Sequence, residues 1–170
     1  GDTTICSGDS TSFTIAALGG TPVTYQWLKN GIDIVGATDS FLVFFPVVVT
    51  DSGSYRCIAQ IAGIADTSAA MYLTTILDIT PPTASCGTVT AYLSAAGSVG
   101  VTPSMIDNGS TDFCGIGLLS INGGTVANYS CADIGNNTAN LMVTDVNGNS
   151  SSCSGTVSVV DTVAPSATCT

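Results

Sequence analysis

The sequence predicts an all-β protein built from two consecutive sandwiches, and three observations support this fold class. The first is composition: all 12 acidic residues are Asp, Glu and His are absent, and Thr, Ser, Val and Gly abound, which disfavours long helices. The second is a succession of short apolar stretches separated by Gly-Gly, Asn-Gly and Asp-Ser-Gly turn signals. The third is a junction that occurs twice, 83 residues apart. Its residues are Asp78, Pro82 and Cys86 in one copy and Asp161, Pro165 and Cys169 in the other.

The charge balance excludes several classes of function. The formal net charge is −10, and Lys29 and Arg56 are the only cations. Nucleic-acid binding and adsorption to anionic membranes both need clustered cations, so neither is expected. Without His, the chain cannot build a Ser-His-Asp, Cys-His or His-zinc site, and we expect no enzyme and no required cofactor. The longest apolar run, 41–49, contains Pro46 and is far shorter than the roughly 20 residues of a membrane span.

The first module, residues 1–79, contains five stretches with strand-like alternation bounded by turn residues. They are Ser12–Ala17, Thr21–Leu28, Ser40–Val47, Gly53–Ile61 and Ser68–Ile79. Within this module, Trp27 is followed 24 residues later by the motif Asp-Ser-Gly-Ser-Tyr-Arg-Cys at 51–57. This combination resembles the immunoglobulin superfamily. The resemblance implies that Trp27 is a core residue on strand C, that Tyr55 forms a tyrosine corner, and that Leu42, Phe44 and Val47 point inward from strand E.

The first module departs from the family at its first cysteine. Ile15 stands where the strand B cysteine of the family is usual, and Cys6 lies upstream. We therefore expect a Cys6–Cys57 disulfide that ties the entering strand to strand F. Asp51 has no evident Arg partner on strand D, so we expect it to cap the turn between strands E and F.

The second module, residues 80–162, has alternating stretches at Gly87–Leu93, 139–145 and 154–161, of which the last two predict a hairpin. The sequence Val-Thr-Asp-Val-Asn-Gly-Asn at 143–149, followed by Cys153 and a Val-rich strand, resembles the hyalin-repeat (HYR) family of immunoglobulin-like extracellular modules. The pattern at 106–115 adds a resemblance to repetitive surface proteins of gliding bacteria. The fold class is thus two tandem immunoglobulin-like β-sandwiches joined by a short Pro-containing linker.

The HYR resemblance implies a disulfide between Cys86 and Cys153. The extra pair, Cys114 and Cys131, would close the excursion in the middle of the module, although four cysteines allow three pairings. Cys169 would stay unpaired or pair inside a further repeat that begins at residues 163–170.

Oxygen-rich loops offer a calcium hypothesis. Asp107 and Asp112 lie in one loop, Asp145 and Asn147 in another, and calcium takes oxygen ligands from irregular loops. The alternative interpretation is that these residues only cap turns. A second hypothesis is O-glycosylation, because three hydroxyl residues follow Asp in triplets that resemble a motif of secreted proteins of gliding bacteria. They are Thr3, Ser10 and Thr162.

The preferred function is non-catalytic: a structural or adhesive segment of an extracellular tandem-repeat surface protein or filament, at the cell surface or secreted. Its expected partners are neighbouring repeats, homotypic filament contacts, and surface glycans or other cells. The alternative is a carbohydrate-binding or accessory module of a secreted enzyme. Such a module needs exposed aromatic side chains, and Trp27 is expected in the core. The remaining candidates are Tyr25, Tyr72, Tyr92 and Tyr129.

Overall fold

A computed structural model describes residues 2–18 and 22–164 and divides the chain into two compact units, Gly1–Asp78 and Ile79–Thr170. The division falls one residue before the expected module boundary at 79/80. Most of the expected further repeat, 165–170 with Cys169, lies outside the described residues. Among the helices that are described, none has the length and apolar character needed to cross a membrane.

Unit 1 consists of eight described strands in two sheets. They are β1 (Thr3–Cys6), β2 (Thr11–Thr14), β3 (Thr24–Lys29), β4 (Ile32–Asp33), β5 (Phe41–Phe44), β6 (Gly53–Ile61), β7 (Ile64–Thr67) and β8 (Met71–Ile76). One sheet has the order β1-β8-β6-β3-β4, and β2 pairs with β5 in the other. β7 and β8 are successive parts of the last strand, since both pair with β6. β1 runs parallel to β8.

The core of unit 1 follows from alternation along these strands. Phe44 and Val47 point inward and are buried, as predicted, while Leu42 packs against them as a partly buried residue. Trp27 is completely buried and donates its indole N–H to the carbonyl oxygen of Asp39 at 2.9 Å. Phe13 packs at 6.4 Å from the Trp27 ring. Each such side chain contributes roughly 2 kcal/mol through removal of apolar surface from water.

Unit 2 repeats this topology with six strands and one short helix. They are β9 (Thr88–Tyr92), β10 (Ser98–Val101), α1 (Pro103–Ile106), β11 (Ile116–Ile121), β12 (Ala127–Ser130), β13 (Gly135–Asp145) and β14 (Ser150–Val160). The sheets are β11-β13-β14-β9 and β10-β12. As in unit 1, the first strand runs parallel to the last, here β9 beside β14. The expected hairpin at 139–161 is confirmed by β13 and β14, which pair over ten positions.

These two units confirm the all-β class, and each has the strand topology of an immunoglobulin-like sandwich. The strand predicted at Gly53–Ile61 coincides with β6. The stretch predicted at Ser68–Ile79 is shorter in the structure, as β8, and the preceding β7 was not predicted. All four residues of β7 are exposed, so it carries no inward apolar pattern that the sequence could reveal.

A tyrosine corner connects the sheets of unit 1, as the resemblance implied. The Tyr55 hydroxyl donates to the carbonyl oxygen of Asp51 at 2.5 Å, and its ring packs edge-on against Phe44 with centroids 5.1 Å apart. The Asp51 carboxylate accepts from the backbone N–H of Val48 at 2.8 Å, which confirms its expected capping role. Burial, followed by the charge of Asp51, raises the pKa of Tyr55 to about 12.

Replacing Tyr55 by Phe removes this corner hydrogen bond and leaves the Asp51 carbonyl without its donor. We expect the free energy of unfolding of unit 1 to fall by about 1–2 kcal/mol. Trp27 is the only Trp in the chain, so its fluorescence during urea unfolding reports unit 1. The control is Tyr72→Phe on β8, where the side chain is 53% exposed and a change within about 0.5 kcal/mol is expected. Equal effects of the two substitutions would contradict the corner's role.

Candidate functional site

The predicted Cys6–Cys57 disulfide is wrong, because Cys57 is a free, buried thiol. The strand register explains why. The Cys57 backbone N–H and C=O both bond to Ser68, whereas Cys6 lies opposite Ile76. Along an extended strand this separation is roughly 20 Å or more, and a disulfide needs Cα atoms within about 7 Å. Cys6 is disulfide-bonded, but not to Cys57.

The Cys114–Cys131 pairing is wrong for a similar reason, since Cys131 is a free, exposed thiol. Cys131 follows β12 and precedes the beginning of β13 at Gly135. Cys114 precedes Ile116, which pairs with Asp145 at the opposite end of β13. An 11-residue strand spans roughly 35 Å, so the two cysteines lie near opposite ends of the sandwich. Cys114 is disulfide-bonded, but not to Cys131.

The Cys86–Cys153 disulfide is confirmed, with Cα atoms 5.8 Å apart. It joins the segment that enters unit 2 to the first half of β14. The bond closes a sequence separation of 67 residues, for which the loss of chain entropy in the unfolded state contributes about 4 kcal/mol.

The acidic loops use their carboxylates to hold turns. Asp145 is 3% exposed and accepts from the backbone N–H groups of Asn147 and Asn149 at 2.8 and 2.9 Å. Its other oxygen accepts from the Asn149 side-chain amide at 2.8 Å. Burial alone would raise the pKa of Asp145, but these hydrogen bonds and one from the Gly148 backbone outweigh it and lower the pKa.

The other proposed calcium ligands have the same arrangement. Asp107 accepts from the backbone N–H of Ser110 at 3.1 Å, and Asp112 accepts from the backbone N–H groups of Cys114 and Gly115 at 2.7 and 3.1 Å. This geometry matches the turn-capping interpretation. Calcium binding at these loops stays a prediction.

The expected glycosylation residues and aromatic residues lie in different environments. Ser10 and Thr162 are exposed and Thr3 is half-buried in β1. Among the aromatic candidates for glycan binding, Tyr72 and Tyr92 are exposed. Trp27 and Tyr129 are buried in the cores and offer no flat surface for a sugar.

An exposed apolar strip on β5 was not predicted as a site. Leu42 and Phe44 face the core, so the alternate residues face outward. These are Phe41, Val43 and the following Phe45, with exposed fractions of 50, 57 and 81%. The apolar run 41–49 was a sequence signal for this strip. A strand with one buried face needs apolar residues only at alternate positions, and this run is apolar at the positions between them as well. We call these three residues the β5 strip.

A concave apolar surface in unit 1, the unit 1 groove, has a volume of about 560 Å³. One side is formed by residues 15–18, and the other by residues of β6 and β7. Cys57, Ala59 and Ile61 line it from β6, and Ile64 and Asp66 from β7. Ile15 and Cys57 thus occupy facing walls at the positions where the immunoglobulin family commonly has a disulfide.

Comparisons with known proteins give a fold-level likeness only. No protein-family model and no curated protein match the chain. Solved structures similar to it include immunoglobulin domains 1–5 of Sidekick-1, with 12% identity, a TM-score of 0.43, and coverage of 92% of this chain and 35% of that one. The immunoglobulin Ig1-2 module of the Drosophila receptor protein tyrosine phosphatase DLAR has 19% identity, a TM-score of 0.39, and coverage of 92 and 93%.

A viral protein is similar to the same extent. Three N-terminal domains of the bacteriophage RB49 Highly Immunogenic Outer Capsid protein share 14% identity with a TM-score of 0.44, and coverage is 91% of this chain and 55% of that one. The chain spans 35 and 49% of the two Sidekick-1 fragments that it matches. All these TM-scores are below 0.5, so the strand topology itself, and not the likeness, assigns the immunoglobulin-like class.

The two free thiols differ in their expected reactivity. Cys131 is exposed, whereas Cys57 is buried and burial raises its pKa, an effect that a backbone hydrogen bond from Gln26 partly offsets. Iodoacetamide at neutral pH should modify Cys131 faster than Cys57 by more than about tenfold, because the thiolate is the nucleophile. Peptide mass spectrometry after timed quenching measures both rates. Denatured protein is the control, in which the rates should converge; equal rates in the folded protein would contradict the assignment.

The depressed pKa of Asp145 predicts an acid dependence of the stability of unit 2. The stabilising contribution of the Asp145 carboxylate is complete above the pKa of the unfolded state, about 3.9. It disappears as the pH falls through the lower pKa of the folded state. Asp145→Asn should therefore lower the melting temperature of unit 2 at neutral pH, and the difference from the native chain should shrink as the pH falls below the unfolded pKa of about 3.9. The control is Asp33→Asn on exposed β4, for which only a small change in melting temperature at neutral pH is expected. A constant difference for Asp145→Asn would refute the prediction.

Proposed function

We propose that this chain is a non-catalytic structural and adhesive segment of an extracellular, tandem-repeat surface protein or filament. The observation that carries the proposal is the repetition of one sandwich topology in two consecutive units. Each unit has its own hydrophobic core, so such modules can follow one another along a chain as independent domains and form a long spacer.

The chemistry of the described residues supports a non-catalytic role. In the loops, the carboxylates of Asp107, Asp112 and Asp145 accept hydrogen bonds from backbone N–H groups and so hold turns. The Tyr55 hydroxyl is used in the corner, where it donates to the carbonyl oxygen of Asp51. The buried thiol of Cys57 has a raised pKa, which suppresses its nucleophilic form.

An extracellular location fits the covalent structure. The Cys86–Cys153 bond closes a long loop, and structural disulfides of this kind persist in oxidising compartments. Lys29 and Arg56 are the only two sites for trypsin-like proteases. The proposal includes HYR-like character for unit 2 and O-linked glycans at Thr3, Ser10 or Thr162.

Adhesion is tested with beads that carry the purified 170-residue chain. If the β5 strip contributes to homotypic contact, coated beads should cluster, and Val43→Asp should reduce clustering by placing a charge in the middle of the strip. Phe113→Asp is the matched control in unit 2, where Phe113 is 78% exposed, and it should cluster like the native chain.

A glycan array distinguishes the alternative function. Selective, saturable glycan binding without bead clustering would contradict the adhesive proposal and favour a carbohydrate-binding module. Melting curves in about 1 mM calcium and in chelator test the calcium prediction separately. A higher midpoint in calcium supports binding, and an unchanged midpoint assigns the loop carboxylates to turns alone.

A further inference from the structure

One edge of β5 has no partner strand among the described residues. β5 pairs with β2 on one side over four positions, and no described strand pairs with its other side. The chain that leads into β5 is held against β3 instead. Ile34 donates its backbone N–H to the Trp27 carbonyl oxygen, and Trp27 donates its own backbone N–H to the Ala37 carbonyl oxygen. A strand edge of this kind is a template for pairing with another strand.

The hydrogen-bond pattern of β5 shows which backbone groups face this edge. Ile15 donates its backbone N–H to the Ser40 carbonyl oxygen at 2.8 Å, so the backbone of Ser40 faces β2. In an antiparallel ladder, bonded and non-bonded positions alternate along the strand. Leu42 therefore also faces β2, whereas Phe41 and Val43 direct their backbone N–H and C=O groups to the opposite edge.

The side chains beside this edge are complementary to a second copy of themselves. The β5 strip, Phe41, Val43 and Phe45, reads Phe-x-Val-x-Phe in both directions. If two copies pair antiparallel about Val43, Val43 lies opposite Val43, and Phe41 of each copy lies opposite Phe45 of the other. All three cross-strand pairs are apolar and two of them are aromatic, and such pairs stabilise a sheet.

The charge distribution permits this contact between two acidic chains. The net charge of −10 opposes the approach of two copies, but the run 41–49 contains no charged residue. Asp39 lies four positions from Val43, so pairing about Val43 places the two Asp39 residues eight positions, or roughly 26 Å, apart. This separation exceeds the screening length of about 8 Å at physiological ionic strength. Exposed sheet edges are commonly protected by charged side chains, and β5 has none.

We propose that β5 of one copy of the chain pairs edge to edge and antiparallel with β5 of a second copy, with Val43 at the two-fold axis. The two β2–β5 sheets then form one continuous sheet in the order β2-β5-β5-β2. The inference rests on the proposed adhesive function and specifies its homotypic contact. Both copies use the same strip, so the association is isologous and closes at two chains.

The short length of β5 limits the strength of one contact. Four strand residues and the three side chains of the β5 strip bury far less than the roughly 1,200 Å² at which stable interfaces begin. A single pair of chains should therefore associate weakly and reversibly. Surfaces that display many copies should adhere much more strongly, because several weak contacts act together.

Cysteine cross-linking measures the register of this pairing. Opposite residues in a hydrogen-bonded antiparallel pair have Cα atoms about 5.5 Å apart, which is within disulfide range. Val43→Cys should therefore form a symmetric disulfide under mild oxidation. Phe41→Cys alone should link at least about tenfold less, because two copies of that residue lie roughly 13 Å apart along the strands. A mixture of Phe41→Cys and Phe45→Cys chains should link again.

Tryptic peptides identify the cross-link. Lys29 and Arg56 are the only trypsin sites, so residues 30–56 form one peptide, and this peptide contains no native cysteine. A disulfide-linked dimer of peptide 30–56 in non-reducing mass spectrometry therefore comes only from the introduced cysteine. In sedimentation, the native chain should show a mass that rises with concentration toward twice the monomer mass and no further.

Two substitutions at one position separate backbone pairing from side-chain contact. Val43→Pro keeps an apolar side chain but removes the N–H that faces the free edge, a position where a sheet tolerates proline. It should weaken dimerisation at least about tenfold. Val43→Ala keeps the N–H and should weaken dimerisation less. Fluorescence of Trp27 verifies that unit 1 is folded in both variants, and cross-linking tests the proposal independently of them.

Three results would overturn the proposal. The first is equal disulfide yield from Val43→Cys and Phe41→Cys, which would indicate stacking of the strips without a defined register. The second is a folded Val43→Pro chain that dimerises like the native chain. The third is the absence of the Val43→Cys cross-link on beads that still cluster, which would retain the adhesive function and reject only edge pairing. Beads that neither cluster nor cross-link would reject the adhesive function as well.

Discussion

Both sandwiches depend on the parallel pairing between their first and last strands. In unit 1 this pairing joins β1 to β8, and in unit 2 it joins β9 to β14. A parallel pair requires a crossover connection, and in each unit the other strands lie between the two strands of this pair in the sequence. In unit 2 the segment that enters this pairing is also held by the Cys86–Cys153 bond to the first half of β14.

Polar side chains in this protein mainly maintain the turns between strands. Asp51 and Asp145 each accept backbone N–H groups at the end of a strand, and Asp112 does so in the long connection between β10 and β11. Buried or partly buried turns need such partners because an unpaired backbone group is costly away from water. Asp, Ser and Thr side chains can thus hold turns through hydrogen bonds to the backbone. This also explains why its acidic residues are poor indicators of a catalytic site.

Much of the fold could be predicted from local sequence patterns. Trp27 and the 51–57 motif identified the core and the corner, because these residues have the same role wherever that sandwich forms. The disulfide pairings were harder to predict from the sequence. Cys86–Cys153 followed from a family resemblance, while the pairings of Cys57 and Cys131 failed because spacing along the chain does not define distance along a sheet. The β5 strip and the unit 1 groove were missed since exposure is a property of the neighbouring strands.

The sequence by itself determined the all-β class, the two-module organisation, the exclusion of His-based chemistry and the inward residues of the main strands. Composition and period-two alternation are local properties of the sequence, and they do not depend on how the strands are arranged. Only the tertiary structure decided which cysteines meet, which carboxylates are satisfied by their own turns, and which side chains line the unit 1 groove. These features depend on register between strands that are far apart in the chain, and a shift of one residue in register would reverse the face of every side chain.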